Sequence, residues 1–139
     1  MSPTNTDQKF GSSSIIIAVD YRTINGRNIV FTNSGKVNTG IELSDYVKNA
    51  VEVGAGEIFL NSIDRDGTYS GLDIATIEKI TDISNVPMII SGGANSIENI
   101  EQALKTKVSA VAAGSLFVFY GRLKAVLINY PDKNRFTLK

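Results

Sequence analysis

A parallel α/β fold built from four strand-helix units is predicted by three features of the 139-residue sequence. Short β-branched runs alternate with amphipathic segments along most of the chain. Runs such as Ile15-Ile16-Ile17-Ala18-Val19 and Val86-Pro87-Met88-Ile89-Ile90 are apolar at every position, as in parallel strands covered on both faces. Each run leads into Gly, Asp or Ser at its carboxyl end, where a strand stops and a loop begins.

The elements follow in order. A strand over 14–19 is followed by a long segment, 21–40, that contains Asn25-Gly26, a strong two-residue turn signal. A small β-hairpin is expected there, ending in Arg27-Asn28-Ile29-Val30-Phe31. Beyond it, Ser34-Gly35-Lys36 and Asn38-Thr39-Gly40 read as a polar loop on the ligand-facing end, suited to touching a substrate or closing over it. Helices are expected over 43–53, 74–83, 97–105 and 116–130, with strands over 57–63, 87–91 and 108–113 between them. Gly54-Ala55-Gly56 closes the first helix. Ile97, Ile100, Ala103 and Leu104 recur at helical spacing behind Ser96, a predicted N-cap.

Composition excludes several function classes. With 42% hydrophobic and 20% charged residues, and 14 basic against 14 acidic, the chain reads as one ordinary globular unit. It has no basic footprint for nucleic acid. Without Cys or His it has neither thiolate nor imidazole for a metal, so acid-base chemistry falls to carboxylates, Lys or Tyr. Three Asp residues lack any calcium-loop spacing, so no metal site is expected and no cofactor is implied. Residues 1–9 are polar, unlike a signal peptide, and the apolar runs are too short to span a bilayer. A cytoplasmic protein without a membrane partner is expected.

The ends of the strands carry the chemistry, because ligands of parallel sheets and barrels lie beyond the carboxyl ends. Asp20, Asp64, Asp66, Gly92, Gly93 and Ser115 are all expected on that side. Ser91-Gly92-Gly93-Ala94 lets backbone amides approach an anion that a side chain would block. Ala113-Gly114-Ser115, on the next strand, offers a second set of amides at a helix start and the Ser115 hydroxyl. Two such loops side by side predict a phosphate site. Either one alone is equally well read as a tight turn. A third loop, Ser62-Ile63-Asp64-Arg65-Asp66-Gly67-Thr68, adds two carboxylates and two hydroxyls. Asp64 is expected to pair with Arg65 or Arg22, whereas Asp20 and Asp66 are the candidates for function.

These same motifs carry a family resemblance. Phe10-Gly11-Ser12, Val19-Asp20, Phe31-Thr32-Asn33-Ser34-Gly35-Lys36, Asn38-Thr39-Gly40, Gly54-Ala55-Gly56-Glu57 and the run 62–68 resemble the cyclase subunit of imidazole glycerol phosphate synthase. Ser91-Gly92-Gly93-Ala94 and Ala113-Gly114-Ser115 complete the pattern. The likeness covers residues 10 to about 130 and only the carboxyl-terminal half of that family's (β/α)8 TIM barrel. It implies a half-barrel domain over 10–131, flanked by a polar lead-in at 1–9 and a polar tail at 132–139. It also implies a glutaminase-dependent enzyme of histidine biosynthesis. In that reaction ammonia from a partner subunit crosses the barrel to a bis-phosphorylated ribulose-formimino substrate. Asp20 resembles the catalytic aspartate of the fifth strand. Asp66, Gly93, Gly114 and Ser115 resemble substrate contacts, with Ser34, Gly67, Thr68, Ser91 and Gly92 in the same binding loops. Glu57, at the opposite strand end, resembles part of the ammonia gate.

Two departures qualify what the chain can do alone. The family's other catalytic aspartate and its second phosphate site belong to the first half of the barrel, so the isolated chain is expected to be inactive. Tyr21 replaces an expected Ala, and the ending Asn129-Tyr130-Pro131 is more similar to a paralogous branch serving acetamidino-sugar formation in surface polysaccharides. A non-enzymatic phosphate-binding half-barrel is the third reading. Four parallel strands should leave two open edges, near Ile16 and Val111, and a bare inward face. Either self-association or a separate amino-terminal half-barrel is expected to cover them.

Overall fold

The structure, a computed structural model, describes residues 11, 15–120, 124–128 and 130–132. Phe10, Ser12, Asn129 and the lead-in at 1–9 lie outside those residues, as does most of the expected tail. Six strands form one sheet in the order β3-β2-β1-β4-β5-β6, with β1 Ile16–Ile24, β2 Arg27–Thr32, β3 Val37–Glu42, β4 Glu57–Ser62, β5 Met88–Ser91 and β6 Ala110–Val111. Strands β1, β4, β5 and β6 are parallel, and the crossovers β4–β5 and β5–β6 run through helices. Helix α1 is Leu43–Glu52, α2 is Ile74–Ile83 and α3 is Ile97–Leu104. The α/β class and the three helices are as the sequence predicts.

Three expectations change. First, β1 runs on past Asp20 to Ile24, so the hairpin is the continuation of the first strand rather than an appendage to it. Asn25 and Gly26, at φ +50° and +77°, make its turn. Second, the expected loop over 34–40 is in large part β3, antiparallel to β2. Val37, Thr39 and Ile41 alternate with Asn38, Gly40 and Glu42, a strand period that the glycine and asparagine obscure. The hairpin also pairs the upper part of the β1 edge, from Asp20 onward, leaving the lower part as the open edge. Third, no helix spans 116–130. A single turn, α4 Ser115–Val118, gives way to short antiparallel strands β7 Phe119–Tyr120 and β8 Ala125–Val126. The aromatic and β-branched run Phe117-Val118-Phe119-Tyr120 favours extended backbone over helix.

The two faces of the parallel sheet differ. On one, Val19, Tyr21, Ile58, Leu60, Met88 and Ile90 are sealed beneath Leu43 and Val47 of α1, Ile77 and Ile80 of α2, and Ile100 and Ala103 of α3. None of these three helices covers the other face. Parallel register aligns Ala18, Phe59, Ile89 and Ala110 as an apolar row across it, with Ile16 and Glu57 below and Asp20, Asn61 and Ser91 above. Ile16 is 58% exposed. A polar row thus crowns an apolar one at the carboxyl ends of the strands.

Candidate functional site

Three loops at the carboxyl ends of β4, β5 and β6 enclose one small cavity. The β4–α2 loop lines it with Asp66, Gly67 and Tyr69, the β5–α3 loop with Ser91-Gly92-Gly93-Ala94, and the segment after β6 with Ala112-Ala113-Gly114-Ser115. The centre of a water-sized sphere can move within about 20 Å³ of it, room for one water. Both glycine loops predicted to bind phosphate therefore meet around a single space, with Asp66 at its edge.

The glycines are there for different reasons. Gly92 and Gly93 have φ +100° and +94°. A Cβ on Gly92 would collide with the Ser62 carbonyl, and one on Gly93 would lie 2.6 Å from the Gly71 carbonyl and 2.8 Å from Arg65 Cβ. Backbone packing alone demands both. Gly114, at φ −103°, is in ordinary territory, and nothing lies within 4 Å of where its Cβ would be. Its bareness keeps the cavity open and has no packing cause.

The amides around the cavity are the second notable feature. Those of Gly93, Ala94, Gly114 and Ser115 donate to no acceptor among the described residues. Unpaired N–H groups grouped in this way are rare in folded chains unless a ligand or solvent satisfies them. The helix-start effect expected at Ser115 is weak, because α4 is one turn long and its dipole correspondingly small.

The loop after β4 is cross-braced by hydrogen bonds. Ser62 carbonyl accepts from the Arg65 and Asp66 amides at 3.1 and 3.0 Å, and the Gly71 amide donates to the Gly93 carbonyl at 2.8 Å. Arg65 Nη1 donates to the Gly71 carbonyl at 3.1 Å. Asp64 serves structure, as expected: Arg22 Nε lies 3.4 Å from its Oδ1 and the Thr23 amide donates to its Oδ2 at 2.9 Å. Arg22 also lies over the Phe31 ring, 5.1 Å from its centroid.

The remaining predicted residues are not in the cavity. Asp20 stands in the upper row of the bare face, where Asn61 Nδ2 donates to its Oδ1 at 3.1 Å. Thr68 Oγ1 is occupied by the Arg65 carbonyl at 2.6 Å. Ser34 is exposed at the β2–β3 turn, whose Gly35 packs toward Ile63 and Arg22 on the ligand-facing side. Glu57 begins β4, at the far end of the same face as Asp20. Sequence reasoning missed Asn61, whose signal is its register beside Asp20. It also missed Tyr69, an aromatic residue in a polar loop. Beneath the site, Tyr21 Oη donates to Asp73 Oδ2 at 3.3 Å. Burial, and then the nearby Asp73 charge, raise its pKa far above the ordinary value of about 10.

Among the described residues no group of three His, Cys, Asp or Glu is gathered as a metal would need, and no helix is long and apolar enough to cross a membrane. A parallel sheet with its helices on one face and a loop-built cavity at the carboxyl ends is the architecture of half an eight-stranded barrel. The sequence agrees: residues 4–124 match the family described as "Histidine biosynthesis protein". The chain belongs to this family. It is 46% identical over 125 residues to a provisionally named imidazole glycerol phosphate synthase subunit HisF of Leptospira borgpetersenii, covering 88% of this chain and 49% of the relative. A provisionally named subunit of the same synthase from Pseudomonas aeruginosa is 47% identical over 129 residues, covering 91% and 51%. Imidazole glycerol phosphate synthase subunit HisF of Sulfurisphaera tokodaii is 40% identical over 136 residues, covering 98% and 52%. The chain thus spans about half the length of the curated relatives it matches.

Proposed function

We propose that this chain is the carboxyl-terminal half of a HisF-type cyclase, the ammonia-consuming part of imidazole glycerol phosphate synthase, and that its cavity holds one phosphate of the substrate. The observation that carries the reading is the ring of unpartnered amides from Gly93, Ala94, Gly114 and Ser115 around a space that Gly114 leaves open. Amide hydrogen bonds to a charged oxygen each contribute about 1.5–3 kcal/mol. Among the described residues no Lys or Arg lines the cavity, so those amides are the attraction, and Asp66 beside them favours a ligand hydroxyl over a second anion. Ser91 and Gly92 shape the same floor, while Ser34, Gly67 and Thr68 belong to the surrounding loops.

Asp20, oriented by Asn61, is the general acid-base of this half. It faces the interior of the completed barrel, above the apolar row of Ala18, Phe59, Ile89 and Ala110. Glu57, at the opposite end of that face, belongs to the entry for ammonia delivered by a glutaminase subunit. The bare face and the open edges at Ile16 and Val111 are covered by an amino-terminal half-barrel, and residues 10–131 act as the unit that docks to it. That half brings a second carboxylate and a second phosphate site, without which the chain binds but does not react. Mixing the chain with the amino-terminal half of a relative and a glutaminase, and following imidazole glycerol phosphate formation from glutamine, tests the proposal. Turnover that vanishes in Asp20→Asn is the expected result. Absence of turnover from a properly associated pair would refute it.

A further inference from the structure

One side chain bridges two of the loops that line the phosphate cavity. Tyr69 Oη donates to the Ser115 carbonyl at 2.5 Å, joining the β4–α2 loop to the segment after β6 across 46 residues of sequence. Lys124 Nζ lies over the ring, 5.7 Å from its centroid. Tyr69 lines the cavity together with both glycine loops, so its side chain borders the space a phosphoryl group would enter.

The backbone that carries this ring is fixed on both sides. Tyr69 is held at φ +58°, a left-handed conformation uncommon for an aromatic residue. Before it, Thr68 Oγ1 bonds the Arg65 carbonyl at 2.6 Å. After it, the Ser70 amide donates to Thr68 Oγ1 at 3.2 Å and the Gly71 amide to the Gly93 carbonyl at 2.8 Å. The loop cannot lift away without breaking these bonds, whereas the side chain can turn about its Cα–Cβ bond after breaking one.

We propose that Tyr69 is a latch on the phosphate cradle, shut by its hydrogen bond to Ser115 and opened by rotation of the ring when a phosphate monoester enters. The inference rests on the phosphate reading above. A closed majority state lowers the apparent affinity in proportion to the open fraction, so weakening the latch tightens binding. Losing one neutral hydrogen bond is worth about a fivefold change in that equilibrium.

Calorimetric titration of the full chain with inorganic phosphate tests this, using wild type, Tyr69→Phe, Tyr69→Gly and Gly114→Val, with circular dichroism to verify that each is folded. Tyr69→Phe should bind about fivefold more tightly than wild type. Tyr69→Gly, which removes the ring and suits the left-handed backbone, should bind at least as tightly as Tyr69→Phe, and Gly114→Val should not bind. Equal affinity of wild type and both Tyr69 variants, with Gly114→Val silent, would leave the phosphate site standing and overturn the latch. Weaker binding by Tyr69→Phe would make the hydroxyl a ligand contact and also overturn it. No phosphate binding by any folded chain, Tyr69→Gly included, would remove the phosphate reading and the latch together.

Discussion

The two faces of the parallel sheet use the same kinds of residue for different ends. On the helix-covered face Ile58, Leu60, Met88 and Ile90 are almost wholly buried within this chain. On the bare face Ile16, Ala18, Phe59 and Ile89 form a comparable apolar surface with no helix over it. Stability of the chain by itself comes from the first. On the proposed reading the second has value only in a completed barrel, whose interior is packed by side chains from all eight strands. A strand such as β4, apolar on both sides at its centre, packs one side into the core beneath the helices and on the proposed reading offers the other to a second half.

The largest expected effects test this division. Leu60→Ala should destabilise the chain by about 2–5 kcal/mol, since its side chain is 1% exposed and a cavity would remain. Ile16→Ser, on the bare face, should change the chain's own stability by no more than about 0.5 kcal/mol. It should nonetheless weaken association with an amino-terminal half-barrel. Urea unfolding of each variant alone and sedimentation of each with the partner half separate the two contributions. If Ile16→Ser unfolds as readily as Leu60→Ala, the bare face is already part of a core and the division fails.

The glycine loops repeat the contrast on a smaller scale. Gly93→Ala meets both a positive φ and the Gly71 carbonyl, so it should cost about 2–4 kcal/mol. Gly114→Val meets neither. Its melting temperature should stay close to wild type while phosphate binding disappears, because the new side chain enters the cavity rather than the protein. A Gly114→Val chain that melts like Gly93→Ala would mean that Gly114, too, is a packing glycine.

Much of this organisation is legible in the residues. Helices α1 to α3 follow amphipathic stripes, and the Ser96 hydroxyl accepts from the Asn99 amide as its position predicts. The positions of the glycine loops are legible too, but not the different reasons for Gly92, Gly93 and Gly114, which depend on how close β4 and its loop approach. The segment after Ser115 misleads because it is apolar at nearly every position and so has no period from which to choose helix or strand. Tyr69 is invisible to pattern reading, since its partner Ser115 is brought to it only by the tertiary fold.

Tyr21, beside Asp20, points to the covered face. Its neighbour, Asp20, lies on the bare face, so alternate positions on one strand divide between the covered core and the proposed site. Because burial and Asp73 raise the folded pKa of Tyr21, the unfolded chain loses its phenolic proton first as pH passes about 10. Stability contributed by the neutral phenol is complete below that pH and is lost as pH rises toward the folded pKa. The expected slope is about −1.4 kcal/mol per pH unit above pH 10. Tyr21→Phe should abolish that slope while costing about 1 kcal/mol at neutral pH for the lost bond to Asp73. Alkaline denaturation of the two chains reads both numbers. If Tyr21→Phe retains the full wild-type slope, Tyr21 is not the group whose burial the alkaline limb reports, and its place opposite Asp20 has no energetic signature.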